Sequence, residues 1–288
     1  MANLKKAVRE NIPGDFFVDS TCIDCDACRQ IAPAVFGEAA ETSFVKAQPK
    51  SPADRRQALR ALLACPTGSI GCLGDDDIKA VMADFPLLIE EPVFYCGYNS
   101  PKSYGGNSYF IRHPAGNWLI DSPKFVSPLV RRLEALGGVA HILLTHRDDV
   151  ADAERFAEHF SSRRVIHRYE LSSQPDAEVV LDGAGPWELA PDFLAIATPG
   201  HTKGHCVLLL ANTFLCSGDH LDWDRDEQRL AASANYCWYS WPQQAESMRR
   251  LAEYRFEWVL PGHGQRVHLP ADAMREQLID LADSMKER

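Results

Sequence analysis

The run CIDCDACRQIAP, from Cys22 to Pro33, constrains this 288-residue chain more than any other stretch. It sets Cys22, Cys25 and Cys28 three positions apart, and Cys65 follows later in the phrase ACPTGSI. In a reducing compartment such spacing points to a metal or a cluster rather than to disulfides. Soft thiolates suit iron, and the tight triple spacing lets one loop wrap three corners of a cubane while a distant cysteine supplies the fourth. The competing readings are a structural zinc site and a chance grouping. Zinc sites usually draw on two separated pairs, which this run does not offer. Cys72 reads as a spare small hydrophobe beside the site.

The run resembles the bacterial ferredoxin pattern C-x2-C-x2-C-x3-C-P, with Ala32 where the fourth cysteine would stand. In two-cluster ferredoxins that fourth cysteine serves the other cluster, so its loss suits a one-cluster version whose last ligand is Cys65, followed by Pro66. The resemblance to single-cluster 4Fe-4S ferredoxins includes APAVFG after the run and the helical pattern PADRRQALRALLAC before the last ligand. It implies a ferredoxin-like domain over residues 1–74, a 4Fe-4S cluster on Cys22, Cys25, Cys28 and Cys65, and a redox partner protein exchanging single electrons.

The net charge is −10, and residues 1–74 are near neutral, with nine basic and eight acidic side chains, so the later part carries the excess. That balance argues against a nucleic-acid surface, which needs clustered Lys and Arg. No apolar run approaches the ~18 residues of a membrane span. The opening MANLKKAVRENIPGDF lacks the apolar core of a secretory signal, so a cytoplasmic protein without membrane contact is expected. Nothing in the sequence indicates an oligomeric state.

GDDDIKAVMADFP lacks periodicity, and residues 75–86 read as a linker. From Leu87 onward short apolar or alternating runs end in turn residues, among them NSYFIRHPAGNWLID, AHILLTH, DFLAIATPG and CVLLLANTFLCSGD. Helical patterns such as PLVRRLEALGG, AERFAEHF and PQQAESMRRLAEY lie between them. Hairpins interleaved with helices suggest two sheets covered by helices outside. Several strands end in polar clusters: THRDD, TPGHTKGH, SGDH and PGHG. Loops at a common edge would gather His146, Asp148, His201, Asp219 and His263, which is the donor set of a zinc or non-haem iron site. The plainer alternative for Asp148 and Asp149 is capping of the helix that begins near Ala151.

The order and spacing of these five, with the phrases TPGHTKG, SGD and LPGHG, resemble the metallo-β-lactamase superfamily over residues 87–288. The fold class implied is α+β, an αββα metallo-β-lactamase sandwich preceded by a small ferredoxin-like domain. By the same resemblance the first ion is held by His146, Asp148 and His201 with Asp219 bridging, and these four are the catalytic set. The family's loop H-x-H-x-D-H departs here, because Val150 and Ala151 stand where the second ion finds its acid and imidazole. That leaves Asp219 and His263 for a second ion, so one ion is expected rather than two. Asp149 or Asp152 would be recruited only if the loop carries an insertion.

An acid at the second position resembles the flavodiiron branch, where the metal is iron. The trio His146, His201 and Asp219 also matches the one-iron branch that includes persulfide dioxygenases. Two imidazoles and a carboxylate suit Fe(II) and O2 chemistry, with zinc or manganese as the alternatives. Three functions follow. The first is a ferredoxin-linked oxidoreductase acting on a small molecule. The second is a metal-dependent hydrolase of the glyoxalase II or lactonase sort, with the ferredoxin domain as sensor or docking module. The third is a non-catalytic electron carrier with a degenerate second domain. Hydrolases of the family generally keep the pair replaced by Val150 and Ala151, which favours the first. No flavin-binding segment is visible, so two-electron storage would need another protein. Around the site, His205 and His220 read either as supporting hydrogen-bond partners or as solvated rings. Lys203 reads as a surface group and Cys206 as a small buried residue, and the aromatics of YCWYSWP read either as one wall of a substrate pocket or, for most of them, as core. Gly105-Gly106 reads as a turn before a strand.

Overall fold

The computed structural model of the protein describes residues 2–287. In the first lobe a short helix, α1 (Ala27–Ile31), follows the cysteine run, and α2 (Pro52–Ala64) leads to Cys65. Ser51 and Asp54 cap α2 reciprocally, so the N–H groups of Ser51 and Asp54 are satisfied, and Pro52 in the first turn has none to satisfy. Strands 16–18 and 70–72 pair antiparallel, as do strands 36–39 and 42–45. Phe16, Val18, Phe36, Val45, Ala58, Leu59 and Ile70 close a separate small core.

Of residues 75–86, expected to be a linker, those up to Asp84 are instead held on this lobe, while Phe85 is buried in the core of the second, 5.1 Å from Tyr98 between ring centroids. Asp77 accepts the N–H of Ala80 at the start of α3 (Ile78–Met82), and Val81 is buried in the lobe's core. Asp84 then receives Arg56 at 2.8 Å and Arg60 at 2.7 Å from α2. Too few apolar residues stand here to show a period, so the pattern alone does not reveal the helix.

The second lobe stacks a seven-stranded sheet, in reverse chain order from its edge at 179–181 through 163–167, 141–143, 118–120, 109–111 and 93–95 to 87–90, on a six-stranded one. The latter runs 187–190, 193–197, 206–210, 214–218, 258–261 and 267–268. Strand CVLLL, at 206–210, shows why its sequence is apolar throughout. Leu208 and Leu210 face the other sheet, whereas Val207 and Leu209 face the outer helices, so both sides of the pleat are buried. Trp118 stacks on Phe193 at 4.4 Å between centroids, joining the sheets. Outside, α4 (Ser127–Ala135) and α5 (Ala153–Phe160) bury Leu129, Leu133 and Phe156 on the first sheet, and α6 (Trp241–Leu251) and α7 (Ala271–Ser284) bury Met248, Leu251 and Leu278 on the second. No described helix is long and apolar enough to cross a membrane.

The lobes touch around the cysteines. Ala64 accepts the N–H of Asn99 at 3.2 Å, Cys65 O accepts from Lys124 Nζ at 3.3 Å, and Arg225 pairs with Asp26 at 2.9 Å.

Candidate cluster and metal sites

Cys22, Cys25, Cys28 and Cys65 line one small enclosed cavity with Val18, Ala27 and Ile70. Asp24 and Asp26 adopt left-handed backbone conformations, φ 56° and 63°, which curl the loop so that the sulfurs face inward. Arg29, 6% exposed, pins both aspartates at 2.6 and 2.5 Å. Burial, with Cys65 and Cys22 adding negative charge nearby, pushes the Cys25 thiol up to about 12, and Cys28 rises chiefly through burial too. Thiols this costly to ionise alone fit a bound cationic core that shares their charge. The N–H of Ser69 already donates to Cys65 Sγ at 3.3 Å. A 4Fe-4S cluster therefore fits the residues present.

In the second lobe all five predicted residues converge where the strands end. His146 follows strand 141–143, Asp148 lies in the 3-10 turn Arg147–Asp149, His201 stands between strands 193–197 and 206–210, Asp219 follows strand 214–218, and His263 follows strand 258–261. Asp219 Oδ2 is 3.6 Å from His146 Nε2 and 3.7 Å from His201 Nε2. Asp148 Oδ2 is 3.8 Å from the first and 3.7 Å from the second. These four donors surround one point, and the His146 and His201 rings stand at 89° to each other. Both Nε2 atoms are buried without a hydrogen-bond partner among the described residues. Bare buried nitrogens cost free energy unless something fills the space they face, and among carboxylates that something is a cation. His146 Nδ1 meets Thr145 Oγ1 at 3.0 Å, and that hydroxyl donates to Asp121 at 2.9 Å, which leaves the Nε2 lone pair free to coordinate. Burial would keep His146 neutral, but Asp219, Asp149 and Asp121 pull it up to about 9. That surplus of acid is what a divalent ion would neutralise.

Solved structures settle what this sandwich is. DIM-1 metallo-beta-lactamase, crystallised after exposure to ceftazidime, superposes with a TM-score of 0.52 at 18% identity, over 68% of this chain and 95% of its own. A metallo-beta-lactamase family protein from Thermus thermophilus gives 0.51 at 18%, over 69% and 81%. ETHE1 from Myxococcus xanthus gives 0.50 at 20%, over 67% and 87%. The second lobe has the metallo-β-lactamase fold. In the first, residues 18–72 match the 4Fe-4S single cluster domain of Ferredoxin I.

Within the metallo-β-lactamase-fold lobe, the residue whose spacing did not place it in the site is Asp149. It is 1% exposed, and neither carboxylate oxygen has a partner among the described residues. One of its oxygens, Asp219 and His146 form a second trio with donors within 4.8 Å of one another. Burial, then the charge of Asp219, pushes Asp149 up to about 6. The 3-10 turn makes this possible: it keeps Asp148 at the exposed rim of the site, its side chain 46% exposed, and drops Asp149 to the buried floor, supplying the acid that Val150 cannot. Asp152 is committed elsewhere, accepting Lys102 Nζ at 2.7 Å and the N–H of Phe125 at 2.9 Å. His263 joins the site without presenting a bare nitrogen. Its Nδ1 lies 2.8 Å from Asp219 Oδ1 and its Nε2 donates to Ser103 O at 3.1 Å.

Among the neighbours, His205 is buried and neutral, burial holding its pKa far down. Its Nδ1 donates to Thr198 at 2.9 Å and its Nε2 accepts the N–H of Asp219 at 3.3 Å, so it positions a ligand. His220 stacks on it at 5.3 Å. Lys203 lies over the Tyr169 ring, 4.0 Å away, and Cys206 is buried with its thiol toward Gly204 O. Tyr236 and Trp238, expected chiefly in the core, are 65% and 57% exposed and line a cleft of about 1170 Å³. The same cleft is bounded by Asp148, Asp149, His201 and Asp219 on one side and by Asp24, Cys25 and Asp26 on another.

Proposed function

We propose that the protein is an oxidoreductase in which His146, Asp148, His201 and Asp219 hold one non-haem iron ion and the ferredoxin domain supplies its electrons singly. The observation that carries this reading is the shared cleft: the cluster loop, through Asp24, Cys25 and Asp26, and the metal donors open onto one space. Two imidazoles and two acids with room for a further donor suit Fe(II), which would supply redox chemistry on oxygen, a sulfur species or another small oxidant. Trp238 and Tyr236 wall the cleft beside His201 and would orient a small-molecule substrate. A soluble one-electron donor protein is the expected partner. A reducing, cytoplasmic setting suits nine cysteines that carry no disulfide among the described residues.

A second reading has one specific support. Asp149 restores an acid beside Asp219, which would allow a second ion and metal-activated water, as in a hydrolase. Anaerobic purification with metal quantification and EPR separates the two. Iron beyond the four atoms of the cluster, giving a mononuclear ferric signal on oxidation, supports the oxidoreductase. Four irons with one or two zinc ions per chain would overturn it.

A further inference from the structure

Two adjacent glycines lie where the lobes meet. Gly105 has φ +89° and follows Tyr104, itself left-handed at φ 49°. A Cβ on Gly105 would sit 2.6 Å from the Cβ of Cys25 and 2.9 Å from its sulfur. The backbone conformation accounts for a glycine there, but not for the cluster ligand being packed against it. Gly106 has no positive φ, so its backbone does not demand glycine. A Cβ on Gly106 would nonetheless meet the two Asp149 oxygens at 2.9 and 3.0 Å. One dipeptide thus touches a cluster cysteine on one face and a metal-site carboxylate on the other.

A bonded path continues from it. The N–H of Gly106 donates to Ser103 O at 2.8 Å, and the same oxygen accepts His263 Nε2 at 3.1 Å. His263 Nδ1 is 2.8 Å from Asp219 Oδ1. The turn is braced, because Asn99 donates to Gly105 O at 2.6 Å while the N–H of Asn99 reaches Ala64 O, beside Cys65.

We propose that residues 103–106 are the electronic contact between the cluster and the metal centre, with Gly105 and Gly106 as its positioning residues and His263 as the relay to Asp219. The inference rests on the two-centre redox reading above and names the route inside it. Electron tunnelling decays exponentially with distance and most steeply across gaps without bonds. The route from Cys25 to Asp219 has a single van der Waals step, followed by peptide units and short hydrogen bonds. With both groups bound, the cluster on Cys22, Cys25, Cys28 and Cys65 would give up one electron and be oxidised by one, and a ferric ion held by His146, Asp148, His201 and Asp219 would take it and become ferrous. No bond is made or broken, and a low-potential one-electron donor, dithionite in the test, refills the cluster. His263 is then retained for conduction rather than for coordination.

The test uses the full chain with its cluster, loaded at the second site with paramagnetic Co(II) or diamagnetic Zn(II) and reduced with dithionite. Power saturation of the cluster's EPR signal is measured in both forms. A cobalt ion close enough to exchange electrons with the cluster makes the cluster relax much faster through magnetic coupling, raising its half-saturation power at least tenfold, and the route is then read from the variants. Identical saturation in the two forms overturns the proposal. Ferric-loaded Gly106→Ala and Gly105→Ala chains, checked for four-iron content, should then lose the high-spin ferric signal at least tenfold more slowly than wild type. Wild-type rates in both would overturn the route. If neither variant keeps its metals, the cobalt and zinc comparison, together with ferric reduction in His263→Gln, decides. Turnover that survives without any coupling would sink this inference and leave the oxidoreductase standing, and coupling without redox turnover would do the reverse.

Discussion

Replacing Asp149 by Asn should have opposite effects on the protein with and without its second-lobe metal. In the absence of metal the carboxylate is buried, lacks a hydrogen-bond partner among the described residues and lies beside Asp219, and its pKa rises from 3.8 to about 6. A raised acid in the folded state means that the fold binds more protons than the unfolded chain between those values, so stability falls as pH rises through them. Below about pH 4 the group is neutral in both states and contributes nothing. Above about pH 6 its ionisation costs at most about 3 kcal/mol, since each tenfold weakening of an acid is worth about 1.4 kcal/mol. Asn has the same shape and no charge, so metal-free Asp149→Asn should melt higher at pH 8, by up to roughly 2–4 °C per kcal/mol recovered, and the gain should fade toward pH 4. With metal the sign inverts. The acid that was a burden becomes a partner of the cation, and its loss should weaken metal binding about 10–100-fold. Calorimetric melts from pH 4 to 8, with chelator and with added Fe(II) or Co(II), read both arms. An unchanged metal-free melting temperature together with unchanged metal affinity would refute the placement of Asp149 beside the ion.

Cys65→Ser should bleach the brown absorbance of the cluster while the second lobe stays folded; a full complement of four irons would count against that ligand set. His201→Ala combined with Asp219→Ala should strip the second-lobe metal at constant protein, and unchanged metal by elemental analysis would show the site to be misplaced. Asp152→Asn should leave metal content at the wild-type level and lower stability by roughly 1 kcal/mol, since it weakens contacts with Lys102, Phe125 and Arg155 and none with the metal donors; loss of metal would show that Asp152 is a ligand after all. Arg29→Gln should destabilise the first lobe by roughly 1–3 kcal/mol by freeing Asp24 and Asp26 around the cysteine loop, followed as earlier cluster release on heating.

How much of this was legible in the amino acids differed by the range of the interaction. The four cysteines could be read because their spacing is itself the geometry, one loop wrapping three corners. The order of His146, Asp148, His201, Asp219 and His263 was legible because each ends a strand, and the strand ends share an edge. Asp149 was not, because its role depends on a 3-10 turn that sets two neighbouring acids at different depths of one site, and residue spacing carries no information about that turn. The use of His263 escaped for a related reason: its Nε2 is claimed by a carbonyl at Ser103, far away in sequence. The helix at 78–82 is held by Arg56, Arg60 and one buried valine, a tertiary cause without local periodicity. Tyr236 and Trp238 resemble core residues in composition, and only the cleft beside them explains their exposure.

Because Asp24, Cys25 and Asp26 form a wall of the cleft, the cluster loop has a second duty in shaping the chamber where substrate would sit. Oxidative loss of the inorganic core would release that loop, and with it the Asp26–Arg225 tie to the hairpin at 222–231. A chain damaged in this way would forfeit its binding chamber along with its current.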